Sequence, residues 1–311
     1  MRSIAFGIVG CLLFMGAISA HAGNANSSKK IFLHAHRGGP GLMPENTIPA
    51  MLNAMKCGTD YVEVDLVFSK DKQIVVSHDA YMNMAFTLNP DGTLLTKAEY
   101  KKTLLSHMNY DSIAKYDVGS LDYPKFPLQK KMKVSKPLFA AMIDSMEAFA
   151  IKNKLPKPCY NIEIKVSWKK PKDAAADAYY PSIEEVAHRI VALTREKGID
   201  QRCFLQTFDA EMVSLIRKLY PQVLVGFLTD KPDFDADIAT IGFVPDYYNV
   251  KFTKVDATLV EKVHKGGGKI VPWTVDTSEE MKAMLELGVD GLITDYPNIA
   301  RTIINEFTTK K

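Results

Sequence analysis

Tyr61-Val62-Glu63-Val64-Asp65-Leu66-Val67-Phe68 is an apolar run interrupted by two carboxylates placed two residues apart. On a strand, residues two apart project from one face, so Glu63 and Asp65 point into one shared space. The later run Tyr160-Asn161-Ile162-Glu163-Ile164-Lys165-Val166 repeats the device with Glu163 and Lys165. Carboxylates buried in strand interiors are costly unless a cation pairs with them. A hard divalent ion together with Arg37 and Lys165 would do that.

Further short runs rich in Ile, Val and Tyr fall at 31–36, 74–78, 203–207, 223–228, 247–250, 269–275 and 291–294. Such runs are typical of buried parallel strands. Helical segments alternate with them. Ser182 with Glu185, and Thr277 with Glu280, read as capping boxes, with Gly198 and Gly288 as the stops. Asp209 reads as the cap of a helix through Tyr220, and further helices are expected over 47–57, 139–153 and 256–265. Strand–helix alternation over about residues 30–305 points to a TIM (β/α)8-type barrel, somewhat irregular, more than to an open sheet.

Two places break the alternation. Only five residues separate Phe68 from Ile74, too few for a crossover helix, so this connection is expected to be a hairpin. A tight turn centred between Asp71 and Lys72 would set Asp65 opposite His78. Residues 80–136 exceed a normal strand–helix loop and carry a helix-like piece near 97–106. They read as an insertion over the C-terminal mouth of the barrel, where substrate-selecting parts are often placed.

The first 22 residues read as a signal peptide: a positive start at Arg2, an apolar core over 4–18, and Ala20-His21-Ala22 as the cleavage site. That core is too short to span a membrane comfortably, and the cleavage reading is preferred over a lipid anchor at Cys11. The mature protein is therefore expected to be exported, periplasmic or secreted, without stable membrane insertion. Cys57, Cys159 and Cys203 are odd in number and set in apolar context, which argues against a disulfide framework. A net charge of +3 with dispersed lysines gives no basis for nucleic-acid binding. The sequence leaves oligomeric state open.

The remaining motifs supply chemistry. Glu63, Asp65 and Glu163 are oxygen ligands suited to Ca²⁺ or Mg²⁺ without choosing between them. Arg37 and Lys165 suit phosphate oxygens, and His36 and His78 exchange protons near neutral pH. Each fragment alone has a plain structural reading; their joint occurrence, with consistent parity, is what points to hydrolysis of a phosphodiester. Trp273 ends a strand where barrel sites open, and either packs on an apolar part of a substrate or fills the core; Phe208 shares that ambiguity. Asn249 is a weaker candidate for a substrate hydrogen bond. His34 is expected to fill an inner layer, whereas His107, His188 and His264 are expected to face solvent.

These residues carry a family resemblance. His36-Arg37-Gly38 with Pro44-Glu45-Asn46-Thr47, Glu63-x-Asp65, His78-Asp79, Glu163-x-Lys165, Trp273-Thr274-Val275 and Gly288 through Pro297 resemble the metal-dependent, TIM-barrel glycerophosphodiester phosphodiesterases. The resemblance spans about residues 31–305. Pro40 stands where a small polar residue is usual in that family, and Thr207 where serine is usual. It implies a metal at Glu63, Asp65 and Glu163, an acid–base pair His36 and His78, and phosphate held by Arg37 and Lys165. Glu45 would support Arg37 or the metal. The implied substrate is a small glycerophosphodiester, hydrolysed to an alcohol and sn-glycerol 3-phosphate, either through a cyclic phosphate or by direct attack of water. A phospholipase acting on intact lipid and a non-catalytic phosphate-binding barrel are the alternatives.

Overall fold

The computed structural model describes residues 30–166 and 179–309, so the signal-peptide reading lies outside the described residues. Eight parallel strands form the barrel wall: β1 (Phe32–Ala35), β2 (Tyr61–Phe68), β4 (Cys159–Ile164), β5 (Cys203–Thr207), β6 (Leu224–Thr229), β7 (Tyr247–Val250), β8 (Lys269–Ile270) and β9 (Gly291–Thr294). A ninth, β3 (Ile74–Val76), pairs antiparallel with β2. The spatial order β8-β7-β6-β5-β4-β2-β1-β9 is that of a ring opened at one seam. Hydrogen bonds Asp290 N to Ile270 O and Val275 N to Ile293 O, both 2.9 Å, bridge that seam.

Among the described residues eight longer helices cover the outside: α1 (Ile48–Lys56), α2 (Phe139–Asn153), α3 (Ile183–Glu196), α4 (Ala210–Leu219), α5 (Phe234–Ile241), α6 (Ala257–Lys265), α7 (Ser278–Glu286) and α8 (Pro297–Thr309). Local signals explain most of their starts. Thr47, Ser182, Asp209, Asp256 and Thr277 each accept a backbone N–H in the first turn, an interaction worth about 1 kcal/mol apiece. Buried stripes such as Val186, Ala187, Ile190, Val191 and Thr194 on α3 face the sheet.

The main core lies between strands and helices, where Leu33, Val64, Met142 and Ile162 are wholly buried. A second core fills the barrel interior. There Phe204 stacks on Tyr247 at 4.1 Å between ring centroids, above Val271 and Ile293. Gly226 makes room for them, since a Cβ there would stand 3.0 Å from the Gln206 Cβ and 3.2 Å from the Phe204 ring. His34 is fully buried in the same region, stacked on Tyr61 at 4.5 Å, with Nδ1 bonded to Asn161. Burial pushes its imidazole down to about 3, against the charge of Asp60, so it is neutral, in keeping with an inner-layer role.

The 80–136 segment packs Met82, Leu95, Leu105 and Ile113 against Val67 and Val75 of the hairpin. Gln129 donates to Pro40 O at 2.8 Å, tying the segment to the loop after β1. Among the described residues no helix is long and apolar enough to cross a membrane.

Several expectations need correction. The hairpin exists, but its register differs by one residue: Leu66 opposes Val76, and Ser77 N bonds to Asp65 O. Asp65 therefore does not face His78. The turn holds three residues, with Lys72 at a φ of +60° and Ser69 N bonded to Gln73 O, so the two-residue turn was the wrong template. The 97–106 helix is two pieces, Lys97–Tyr100 and a 3-10 turn Leu105–His107. The strand expected over 269–275 keeps regular pairing only at Lys269–Ile270, with an isolated bridge at Trp273. Helices α5 and α8 were not anticipated. Ser182 caps α3, but the Glu185 carboxylate goes to Lys72 and Arg189 and not back to the cap. His107 and His188 are exposed as expected, whereas His264 is half-buried and bonded to Asp290.

Candidate active site

Parallel register brings the acidic side chains together. Glu63 on β2 is level with Asn161 on β4, and Asp65 is level with Glu163. Because side chains alternate, Glu63, Asp65 and Glu163 share the inner face, with ligand oxygens within 4.8 Å of one another. All three are buried. Burial, then the charges of Asp65 and Glu163, push the Glu63 carboxyl well above the usual carboxylate range. Burial also raises Glu163. At Asp65 burial works the same way, but Lys165, His78 and Arg37 outweigh it and hold the carboxyl well below its usual value.

The cations fall beside this cluster. Lys165 Nζ lies 2.5 Å from Glu163 Oε1 and 2.9 Å from Asp65 Oδ1. The second approach is off-line for a hydrogen bond, so Asp65 Oδ1 is buried without a hydrogen-bond partner. Arg37 Nη1 donates to Glu45 Oε1 at 3.0 Å, its Nε stands 3.4 Å from Asp65 Oδ2, and its backbone N–H donates to Glu63 Oε2 at 2.7 Å. A reversal of the chain after β1 makes this possible: Arg37, Gly38 and Gly39 all have positive φ. Gly38 is required twice over, since a Cβ there would sit 2.8 Å from the Ala50 Cβ of α1.

Arg37 is shared with Glu45, so the two cations do not neutralise the three buried carboxylates, and Asp65 Oδ1 has no hydrogen-bond donor. An all-oxygen donor set of this kind fits a divalent cation.

His36 and His78 share an arrangement that the sequence did not disclose. His36 Nδ1 lies 2.5 Å from Asp295 Oδ1, just beyond β9. His78 Nδ1 lies 2.9 Å from Asp79 Oδ1, whose other oxygen accepts from Asn83 Nδ2 at 2.7 Å. A carboxylate accepts only, so each ring carries its proton on Nδ1 and leaves Nε2 as the exchanging nitrogen. Burial disfavours the Asp79 charge, but His78 and Asn83 outweigh it and hold the carboxyl down at about 2. A cavity of about 590 Å³ opens beside this corner, lined by His78, Asp79, Glu163, Lys165 and Phe208 among others.

Asp295 is itself braced, its N–H donating to Asp276 Oδ1 at 2.8 Å. Asp276 also faces Thr294, His36 and, through its backbone, Glu280. Burial and the charge of Asp295 raise the Asp276 carboxyl to about 6. A raised acid stabilises the fold below its unfolded value, and that contribution is lost as pH rises through about 6. Asp276→Asn keeps the accepting oxygen and carries no charge. It is expected to exceed the parent protein in stability by about 1–2 kcal/mol above pH 7, with the gain vanishing near pH 4. Urea unfolding at the two pH values checks this; equal differences at both would contradict it.

Of the remaining candidates, Trp273 is half-buried, donates from Nε1 to Asn249 O at 3.0 Å and meets Phe208 edge-on at 5.5 Å. Phe208 is 47% exposed and stands in the cavity wall. Asn249 is wholly buried and donates to Gln206 Oε1 at 2.6 Å, so it serves the barrel interior and does not reach the cleft. Thr47 caps α1, while Asn46, at a φ of +56°, donates to Asp65 Oδ2 at 2.8 Å and accepts from Asp65 N. Asn46, Asp79, Asp276 and Asp295 were missed as functional candidates. The first two and Asp295 lay within motifs already singled out, but nothing in spacing alone tells a ligand holder from a turn residue.

Three buried carboxylates, two carboxylate-backed imidazoles and a guanidinium gather at the C-terminal mouth of a (β/α)8 barrel, an arrangement suited to a phosphoric diester hydrolase. Residues 36–299 match the model of the glycerophosphoryl diester phosphodiesterase family, and the chain belongs to that family. A glycerophosphodiester phosphodiesterase of Bacillus altitudinis is 30% identical over 284 residues, covering 89% of this chain and 98% of its own. A Silicibacter pomeroyi structure, provisionally described as a glycerophosphoryl diester phosphodiesterase, is 25% identical with a TM-score of 0.78, covering 90% of this chain and 95% of that one. An Oleispira antarctica phosphodiesterase, solved in complex with the product sn-glycerol-3-phosphate, has the same fold, with a TM-score of 0.66 at 18% identity over 88% of this chain and 96% of its own.

Proposed function

We propose that the protein, a glycerophosphodiester phosphodiesterase, releases an alcohol and sn-glycerol 3-phosphate with a divalent cation, Ca²⁺ or Mg²⁺, held by Glu63, Asp65 and Glu163. The observation that carries this reading is the pairing of each histidine Nδ1 with a carboxylate, Asp295 or Asp79, beside the acidic cluster. When bound, the cation supplies charge neutralisation at the phosphoryl group and acidifies a hydroxyl nucleophile. Arg37, steadied by Glu45, and Lys165 bind the non-bridging oxygens. One imidazole Nε2 takes the proton of the nucleophile and the other donates a proton to the leaving alcohol. Trp273 and Phe208 offer an aromatic wall for the carbon face of glycerol.

Two nucleophiles fit these residues: the glycerol hydroxyl adjacent to the phosphorylated carbon, giving a five-membered cyclic phosphate that water then opens, or water directly. Intramolecular attack is favoured, because it avoids the entropy of fixing a water in place. Product analysis on a panel of glycerophosphodiesters, with and without added metal, tests the activity. A substrate lacking the neighbouring hydroxyl tests the route: it should be cleaved at least about 100-fold more slowly if the cyclic phosphate forms. Similar rates would identify water as the nucleophile. Against the lipid-acting alternative, the large exposed apolar side chains described in the 80–136 segment are only Met84, Leu94 and Leu128, short of a membrane-docking rim. Residues 1–22 are proposed to direct export, which N-terminal sequencing of the mature protein checks.

A further inference from the structure

Lys136 ends the 80–136 segment and is only 5% exposed, in a region where an ammonium is expensive. Its Nζ donates to Ser77 Oγ at 2.9 Å, and Ser77 Oγ donates in turn to the backbone carbonyl of Asp79 at 2.7 Å. Ser77 and Asp79 flank His78, so this two-bond chain spans the bend from which the imidazole projects. The same bend is fastened on its other side by Ser77 N to Asp65 O at 2.9 Å.

Lys136 is placed rigidly. Val76 N donates to Pro137 O at 2.9 Å, Leu138 bridges to Val75, and Tyr110 Oη donates to Lys136 O at 3.3 Å. The charges facing its ammonium are the carboxylates of Glu45, Asp79 and Asp65, with Arg37 as the like charge. Burial pulls its value below that of an ordinary lysine in spite of those carboxylates. A cation so placed favours the ionised form of Asp79, the partner of His78 Nδ1.

We propose that Lys136 is a positioning residue for His78, delivered by the 80–136 segment and acting through Ser77. That segment is then part of the proton-transfer apparatus. The proposal rests on the reading above that His78 exchanges protons with the substrate.

Lys136→Met, Ser77→Ala, the double variant and a His78→Asn reference decide it, assayed on glycerophosphocholine with Ca²⁺ or Mg²⁺. Lys136→Met should fold with a lowered thermal midpoint, because it removes one charge of a buried set and leaves Glu45, Asp79 and Asp65 less compensated. Its kcat should fall about 10- to 100-fold, the scale on which misplacement of a reacting group is felt, with KM changed less than about threefold. The double variant should lose little more than Lys136→Met alone, since both changes cut one chain. Should Lys136→Met fail to fold, Ser77→Ala carries the test, because it severs the link and leaves the ammonium in place. Unchanged kcat alongside an inactive His78→Asn overturns the proposal and spares the acid–base reading. Losses confined to KM, or fully additive losses, overturn it as well. An active His78→Asn removes the acid–base reading and this proposal with it.

Discussion

Excess EDTA should abolish hydrolysis of glycerophosphocholine, and Ca²⁺ or Mg²⁺ added back should restore it. The reason is electrostatic. Glu63, Asp65 and Glu163 bring their oxygens within 4.8 Å of one another in a buried space, and Lys165 and an Arg37 already paired with Glu45 do not balance their charges. A substrate phosphate adds a further negative charge, which such a site would repel unless another cation were present. Glu163→Gln removes one ligand and is expected to lower metal affinity at least about tenfold, with a larger loss of activity at fixed metal concentration. A second readout is independent of turnover: at a metal concentration near 100 times Kd, the parent protein should gain about 2.7 kcal/mol of stability. Glu163→Gln, its affinity lowered at least about tenfold, should lose about half of that gain or more. Full activity in excess chelator, or no thermal response to either metal, would overturn the metal assignment.

His36→Asn should lower kcat by about 1,000-fold or more, and Asp295→Asn by about 100- to 10,000-fold, with KM and thermal midpoint little changed in both. The second expectation follows from the 2.5 Å approach of Asp295 Oδ1 to His36 Nδ1. An amide in that place can donate its N–H to Nδ1, which fixes the ring proton on Nε2, the atom through which the ring must exchange protons. Charge matters too: the imidazolium formed in the reaction loses its counter-ion. Burial of Asp295 opposes its ionisation, yet His36, Lys125 and Arg37 keep the carboxyl below its ordinary value, so the anion is present throughout the working range. A kcat for Asp295→Asn within a few-fold of the parent would show that His36 is not held through Nδ1.

The hairpin shows how far local reasoning reaches. Five residues between Phe68 and Ile74 exclude a crossover helix, and the antiparallel pairing is there. The register was off by one because a positive φ at Lys72, which glycine or asparagine usually signals, was carried by lysine. Even so, His78 reaches the cavity. It sits beyond the paired segment, where the chain leaves the sheet and the alternation of faces no longer governs its direction. Helices α5 and α8 escaped notice for other reasons. The first is a short eight-residue helix, and the second follows a Tyr296-Pro297 step that reads as a loop although proline suits a first helical turn.

What the sequence alone determined was periodic and local: alternating strands and helices, the capping residues, the shared face of Glu63 and Asp65, and the charge types gathered in a few motifs. Those follow from side-chain parity and backbone propensity, which act over a few residues. Tertiary structure alone decided which groups complete one another across the chain. Asp295 meets His36 from 259 residues away, and Lys136 reaches Ser77 from 59. Such pairings exist because closing the barrel brings the ends of its strands to one mouth. There, burial removes water as a partner and compels every charged group to find another.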